Sequence, residues 1–447
     1  MNGVPTMTSE APKGPARPQT RQTPQATVPA WSASSRVVYS GGNEVTLLRG
    51  GDALFPAMCA AIAGATQEVW LATYIFDDDE AARGVAQALA AAARRGVQVR
   101  VVVDGFGSQP TLAAVRALLE PAGVALAVFC PVDGWRSWLQ PGALRRLHHK
   151  LCVVDGQLGF VGGINLIDDR HDLQHGWSEL PRLDYAVRLH GPVAGSLMQT
   201  ARAMWTRAAV GRDWRGEVRR IARSSQPIAG MRLLLSRMRL TLRPPSALAA
   251  GESAIPPVRA ALLVRDNLRQ RRSIERHYID ALDSAREQID LVSPYFYPGR
   301  TFRRALLAAA RRGVRVRLLM QGRADYRFAA LAARAQYEEL MAHGVHIFEY
   351  TPAFLHAKVA RVDDGWATVG SSNIDPTSLL VNLEANIAVR DAGFVATLAS
   401  ELERDFAAAR EITALQRLPG WRRWLQRGFV AWAAVAYLRL AGNREPY

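Results

Sequence analysis

The stretch Ala91–Arg100 reads AAARRGVQVR, and Ala308–Arg317, 217 positions later, reads AAARRGVRVR. Only one of the ten positions differs. Each copy follows an apolar helix-like run and enters an apolar strand-like run, VRVVVDG in the first case and VRLLMQG in the second, the order of a βαβ unit. Upstream, VWLATYIF (Val69–Phe76) and IDLVSPYF (Ile289–Phe296) are the matching earlier strands. A repeat of this kind predicts an α/β fold built from two homologous halves.

Between the copies, TLRPPSALAAGESAIPP (Thr241–Pro257) has the Pro, Gly and Ser density of a linker. The halves are therefore expected at residues 37–240 and 259–412, joined by a linker at 241–258. Residues 1–36, rich in Pro, Thr, Ala and Gln, read as a disordered tail without the apolar centre of a signal peptide. Residues 413–447 form a terminal segment of their own.

Composition narrows the class. With 447 residues, 49% of them apolar, the chain has enough material for two or three globular domains, which excludes wholesale disorder. Cys59, Cys130 and Cys152 stand alone and provide neither a disulfide framework nor structural zinc spacing, as expected of an intracellular, reduced protein. The net charge of +16 favours anionic partners, either nucleic acid or a membrane surface. The longest apolar run, Phe429–Leu438, is too short to cross a bilayer.

Of the 56 basic residues only Lys13, Lys150 and Lys358 are lysine. Two of the three sit two residues after a histidine: HHKLCVVD places His148, Lys150 and Asp155, and HAKVARVD places His356, Lys358 and Asp363 at identical spacing. With nine His and three Lys, chance gives only about 0.06 such pairs. Seven residues after each Asp comes a Gly-rich turn ending in Asn, GGIN (Gly162–Asn165) and GSSN (Gly370–Asn373).

Read as strands, these segments point His148 and Lys150 to one face, and His356 and Lys358 likewise. Asp155 has the opposite parity, which suits support of a turn better than contact with substrate, and His149 points away. A neutral imidazole attacks phosphorus, a second protonates the leaving alkoxide, and two ammoniums with two carboxamides hold the phosphoryl oxygens. Each half supplies one of each. Lys150, Lys358, Asn165 and Asn373 would carry the charge stabilisation, so neither a metal nor another cofactor is expected. His171 and His175, four apart, lack a nearby Glu or Cys to complete a ligand set and read as loop residues. His343 and His346 read as structural.

The paired His-x-Lys-x4-Asp motifs with Gly-rich Asn turns resemble the phospholipase D superfamily. VVDGFGS (Val102–Ser108), FVGGIN (Phe160–Asn165), VRDNLRQRRSIERHYI (Val264–Ile279), YFYPG (Tyr295–Gly299) and WATVGSSNIDPTSLLVNLEAN (Trp366–Asn386) are similar to bacterial cardiolipin synthases of the B type, which lack N-terminal membrane spans. The likeness covers roughly Val38–Phe406. It implies two α/β domains about a pseudo-twofold axis, with one shared active site at their interface. It also implies His148 as nucleophile, His356 as acid and then base, and catalytic roles for Lys150, Asp155, Lys358 and Asp363. Asn165, Asn373 and Ser371 would bind substrate.

The resemblance further implies that a downstream carboxylate orients each histidine, Asp184 lying 36 residues after His148 and Glu384 lying 28 after His356. Gly163 stands where many relatives, and the second motif at Ser371, have serine. A hydroxyl lost there would weaken phosphate contact on that side.

The implied activity is phosphatidyl transfer from one phosphatidylglycerol to another through a phosphohistidine, giving cardiolipin and glycerol. A phospholipase D using water as acceptor shares every catalytic residue, a nuclease of the superfamily is compatible with the charge, and a non-catalytic organiser of anionic polymers would not retain both motifs. Anionic phospholipid at the cytoplasmic side of a bacterial membrane is the expected partner, bound peripherally, with no nucleic acid. WRRWLQRGFVAWAAVAYLRL (Trp421–Leu440) would lie in the interface or pack as a C-terminal helix. Trp135, Arg136 and Trp138 would form a second membrane contact or a buried loop.

Overall fold

The computed structural model describes residues 37–131, 145–173, 175–212, 219, 221–223, 227–237, 258–266, 270–323 and 327–413. The tail 1–36, the Trp135–Trp138 cluster, the linker up to 257 and the segment from 414 onward lie outside the described residues.

The first half runs β1 (Ser40–Arg49), α1 (Gly50–Ala63), β2 (Glu68–Thr73), α2 (Glu80–Arg94), β3 (Gln98–Asp104), α3 (Leu112–Leu119), β4 (Ala125–Phe129), β5 (Leu151–Val154), β6 (Leu158–Gly162), β7 (His171–Asp172), β8 (Gly176–Trp177), β9 (Tyr185–His190), α4 (Pro192–Arg212) and α5 (Pro227–Arg237). The second runs β10 (Val258–Arg265), α6 (Ser273–Ser284), β11 (Gln288–Val292), α7 (Arg300–Arg311), β12 (Arg315–Gln321), α8 (Arg327–Ala342), β13 (Val345–Tyr350), β14 (Val359–Val362), β15 (Trp366–Gly370), α9 (Pro376–Leu380), β16 (Glu384–Arg390), α10 (Ala392–Ala407) and β17 (Arg410–Glu411).

The repeated decapeptide closes a helix and opens a strand. In α2, Ala82, Val85, Ala86 and Leu89 recur at helical spacing and are buried. Gly96 then takes φ +91°, its N–H bonding Ala93 O at 2.9 Å while Val97 N–H bonds Ala92 O at 3.1 Å. Gly313 (φ +89°) and Val314 repeat both bonds onto Ala310 and Ala309. This paired closure needs a left-handed residue, which glycine provides without strain from a Cβ. The conserved spelling of the repeat is thus a stop signal followed by β3 or β12.

Fifteen strands join in one sheet, in the order β17-β13-β12-β11-β14-β15-β16-β10-β1-β9-β6-β5-β2-β3-β4. From the β10–β1 seam outward the halves mirror each other: β16 matches β9, β15 matches β6, β14 matches β5, and β11, β12 and β13 match β2, β3 and β4. The seam is antiparallel, with Ser40 opposite Ala260 and Asn43 opposite Val258. The strands beyond β2 and β11 are parallel, as βαβ crossovers require. From Val37 onward the described residues belong to one compact unit.

A central core draws on both halves, including Tyr185, Val187, Leu189, Val264, Ile387 and Val389. Four of its buried leucines, Leu147, Leu183, Leu355 and Leu383, each stand immediately before a residue with chemistry: His148, Asp184, His356 and Glu384. The second half is also tied to the first where Asp405 of α10 accepts from Arg49 (2.8 Å) and from the Tyr185 hydroxyl (2.6 Å).

Candidate active site

The four leucines build the site in crossed fashion. Leu147 bridges Leu383, and Leu183 bridges Leu355, so the strand leading to each histidine pairs with the strand leading to the other half's carboxylate. His148 N–H donates to Leu383 O (3.0 Å), Leu383 N–H to Arg146 O (2.9 Å), and His356 N–H to Leu183 O (2.8 Å). His148 Nδ1 then meets Glu384 Oε2 at 3.0 Å, and His356 Nδ1 meets Asp184 Oδ2 at 2.6 Å. Both expected carboxylates are present but exchanged: the pairing runs between halves, because residues adjacent across the bridge are closer than residues 36 or 28 apart along the chain.

Each carboxylate is buried, while the His148 and His356 side chains remain 13% and 26% exposed and reach the surface. Both lysines are buried, each donating to the carbonyl of its own histidine, Lys150 to His148 O at 3.0 Å and Lys358 to His356 O. Lys150 also lies 5.3 Å from the centre of the Tyr74 ring, which is 5.1 Å from the His148 ring.

Electrostatics ties the four groups into one site. Burial lowers the His148 pKa, with Lys150 and Lys358 adding to the effect against the pull of Glu384. Burial lowers His356 well below the ordinary value, and Lys358, Arg182, Lys150 and His148 push the same way. Burial brings Lys150 down to about 7 and Lys358 to about 8, against the attraction of Glu384 and Asp184. The carboxylates differ. Burial drives Asp184 up to about 7 although Lys358 opposes it. Glu384, equally buried, stays below the ordinary value because His148, Lys150 and the Ser371 hydroxyl all favour its ionised form.

Three expectations are corrected. Ser371 does not face open space: fully buried, it donates to Glu384 Oε2 and accepts from Ala385 N–H at 3.0 Å. The absence of a serine at 163 is no loss of phosphate contact either. A Cβ there would lie 2.2 Å from Asp184 Oδ1, so the shorter acid sits where the serine side chain would be. Gly163 with Asp184 and Ser371 with Glu384 are two solutions to one packing problem.

The third correction concerns Asp155 and Asp363, which lie at the far ends of β5 and β14 from the histidines. Asp155 accepts from the Thr66, Gln67 and Glu68 amides and the Thr66 hydroxyl, all at 2.9 Å. Asp363 accepts from the Arg286, Glu287 and Gln288 amides at 3.0, 2.8 and 2.9 Å. Burial is the largest single influence and raises both carboxyls, but those amides together outweigh it and hold them below the usual range. They fasten the turns that enter β2 and β11, in keeping with their strand parity.

Asn165 Oδ1 accepts from Ile75 N–H at 3.3 Å, and the side-chain oxygen of Asn373 has no partner among the described residues. His149 is buried, and burial brings its pKa to about 4. His175 pairs with Asp172 at 3.0 Å, His343 donates to Glu339 O and His346 meets Glu411. The sequence reading missed Asp104, which is buried and accepts from Leu147 N–H at 2.7 Å directly ahead of His148. Its only signal was the position of VVDG at the end of β3.

A duplicated α/β sheet bringing one His-x-Lys strand from each half to a shared site defines the phospholipase D class. A family profile described as "Cardiolipin synthase, PLD-like domain" matches residues 58–176 and 278–408. Cardiolipin synthase B of Escherichia coli K12 is 36% identical over 372 residues, covering 82% of this chain and 81% of the relative. Cardiolipin synthase A of Pseudomonas putida is 32% identical over 386 residues, covering 85% and 72%. The chain belongs to the cardiolipin synthase family of phospholipase D-like proteins. Among solved structures, phosphatidylserine synthase of Haemophilus influenzae shares the fold, with a TM-score of 0.64 and 13% identity over 92% of this chain and 98% of that one.

Proposed function

We propose that the chain is a cardiolipin synthase: His148 Nε2 attacks the phosphorus of one phosphatidylglycerol, the bond to glycerol breaks, and His356 gives its proton to the departing oxygen. A hydroxyl of a second phosphatidylglycerol then loses its proton to His356 and attacks, releasing His148 and forming cardiolipin. The observation that carries this reading is the crossed pair of His–carboxylate contacts, which gives one site two imidazoles with different settings.

An ionised Glu384 accepts from His148 Nδ1–H and leaves the Nε2 lone pair free to attack. Asp184, pushed up to about 7, sits close to its own midpoint and suits a histidine that must both give and take a proton. In the free site His356 is neutral. An arriving anionic phosphodiester raises its proton affinity, so the acid is armed when substrate binds. Lys150, Lys358, Asn165 and Asn373 would hold the phosphoryl oxygens.

A peripheral position on the cytoplasmic side of a bacterial membrane fits this substrate, and nucleic acid is not expected. Among the described residues no helix is long and apolar enough to cross a membrane. Leu173, Trp177 and Leu180, between Asn165 and Asp184 in the chain, are 44%, 65% and 50% exposed and offer an apolar surface to lipid.

The test is incubation with labelled phosphatidylglycerol vesicles, wild type beside His148→Ala. Cardiolipin and glycerol in equal amounts, lost in the variant, support transfer. Phosphatidic acid alone would assign a hydrolase, and no lipid product would overturn both.

A further inference from the structure

The two halves part company just after β2 and β11. Phe76 and Phe296 occupy the same place, bridging Leu166 and Ile374, and the next residues, Asp77 and Tyr297, donate their N–H groups to Leu166 O and Ile374 O at 2.8 Å. From there the first half continues Asp77-Asp78-Asp79 and the second Tyr297-Pro298-Gly299. The turn itself therefore does not require aspartates.

His171, at the start of β7, closes onto this run. Its Nδ1 lies 3.0 Å from Asp77 Oδ2 and 3.8 Å from Asp79 Oδ2, and one donor atom from each of the three residues falls within 4.8 Å of the others. Asp77 is 3% exposed. Its Oδ1 accepts from Asp78 N–H, but Oδ2 makes no hydrogen bond among the described residues, and neither does His171 Nδ1. Asp79 is anchored through Ala82 N–H and Asp168 N–H. Two buried polar atoms thus stand 3.0 Å apart without a hydrogen bond between them, beside a third that is fixed in place.

We propose that Asp77, Asp79 and His171 bind a divalent first-row transition ion that staples the β7–β8 hairpin to the end of β2. Two neighbouring ligands of an octahedral shell, each about 2.1 Å from the ion, lie ~3.0 Å apart, the separation of Asp77 Oδ2 and His171 Nδ1. One imidazole with two carboxylates suits Mn2+ better than Ca2+ or Mg2+, which take oxygen ligands, and better than Zn2+, whose tetrahedral shell sets neighbouring ligands ~3.4 Å apart. The His171 side chain is 23% exposed, so water can complete the shell.

The role this assigns to the ion is structural. It fixes the hairpin that carries Trp177, whose ring stacks on His171 at 4.9 Å and 14° while remaining largely exposed. The ion would therefore set the pose of an exposed aromatic residue.

The experiment uses the full chain, stripped with chelator and titrated with Mn2+ under electron paramagnetic resonance. One saturable equivalent is expected in the wild type, weakened at least tenfold in Asp77→Asn and in His171→Gln, with unchanged circular dichroism in both. Spin-echo spectra of the wild-type Mn2+ complex should show coupling to one histidine nitrogen, and Trp177 fluorescence should fall on binding and be insensitive in His171→Gln. Equal binding by wild type and variants, or a bound ion without nitrogen coupling, would leave the cluster an imidazolium–carboxylate ion pair and overturn the proposal. The nitrogen signal is read on the wild type, so it decides the matter even if a variant misfolds.

Discussion

His148 Nδ1 and Glu384 Oε2, 3.0 Å apart, belong to opposite halves of the duplicated chain, and His356 with Asp184 repeats the arrangement in reverse. Neither half can assemble a complete His–carboxylate pair by itself. In the proposed mechanism the β1–β10 seam and the four leucine anchors are therefore catalytic architecture as well as packing. Glu384→Gln keeps the side-chain shape and removes the charge that fixes the His148 tautomer. We expect kcat for cardiolipin formation to fall by about 10³–10⁴ with binding of lipid vesicles retained, by analogy with loss of the orienting carboxylate in a hydrolase triad. A loss under tenfold would show that Glu384 does not orient the nucleophile.

The order of the two histidines can be read with a donor whose leaving group needs no acid. On the p-nitrophenyl ester of phosphatidic acid, His356→Ala should release about one equivalent of nitrophenol per site and accumulate a phosphatidyl adduct on His148, visible by intact-protein mass spectrometry. His148→Ala should give neither burst nor adduct. The reverse pattern would exchange the roles.

Asp155 and Asp363 share a motif with the histidines but are spatially remote from the chemistry. Asp155→Asn and Asp363→Asn preserve a residue tolerant of the left-handed backbone found there (φ +51° and +48°) while weakening the amide contacts. Each should cost about 1–3 kcal/mol in urea unfolding and leave kcat per burst-titrated site within about twofold. A large loss of kcat in a stable variant would return them to the active site.

Much of this was legible in the chain. The decapeptide repeat, the two His-x-Lys pairs and the Gly-Asn turns each mark a local rule, helix stop, strand parity or tight turn, and those rules operate over a few residues. The crossing of Glu384 to His148 was not legible, because it depends on Leu147 meeting Leu383 across the interface of the halves. Nor was the Asp77–His171 approach, which joins loops 94 positions apart in sequence (171 − 77).

Gly163 gives a sharper test of the packing argument. In Gly163→Ser the new Cβ would stand 2.2 Å from Asp184 Oδ1, so the carboxylate that meets His356 must move. Overpacking of this kind costs about 1–3 kcal/mol, and kcat should fall at least about tenfold through the displaced Asp184. Adding Asp184→Glu recreates the Ser371–Glu384 combination of the second half and should recover part of both losses. A double variant no better than Gly163→Ser would show that the two halves are not interchangeable at this position.

The pH dependence follows from the buried lysines. In the proposed mechanism their ammoniums stabilise the phosphoryl oxygens only when protonated, and burial has brought Lys150 down to about 7 and Lys358 to about 8. As pH rises through these values the free enzyme loses positive charge, so kcat/KM should decline on the alkaline side from near pH 7. On the acid side the nucleophile must be neutral, and because the pKa of His148 is lowered from 6.5 that limb lies below 6.5. In the enzyme–lipid complex the anionic phosphate favours the charged lysines, so the alkaline limb of kcat should move to higher pH than that of kcat/KM. Lys150→Arg keeps the charge at every accessible pH but cannot reproduce a compact ammonium beside Tyr74, so it should be slower throughout while its alkaline limb shifts upward. An unshifted limb in Lys150→Arg would remove Lys150 as its origin.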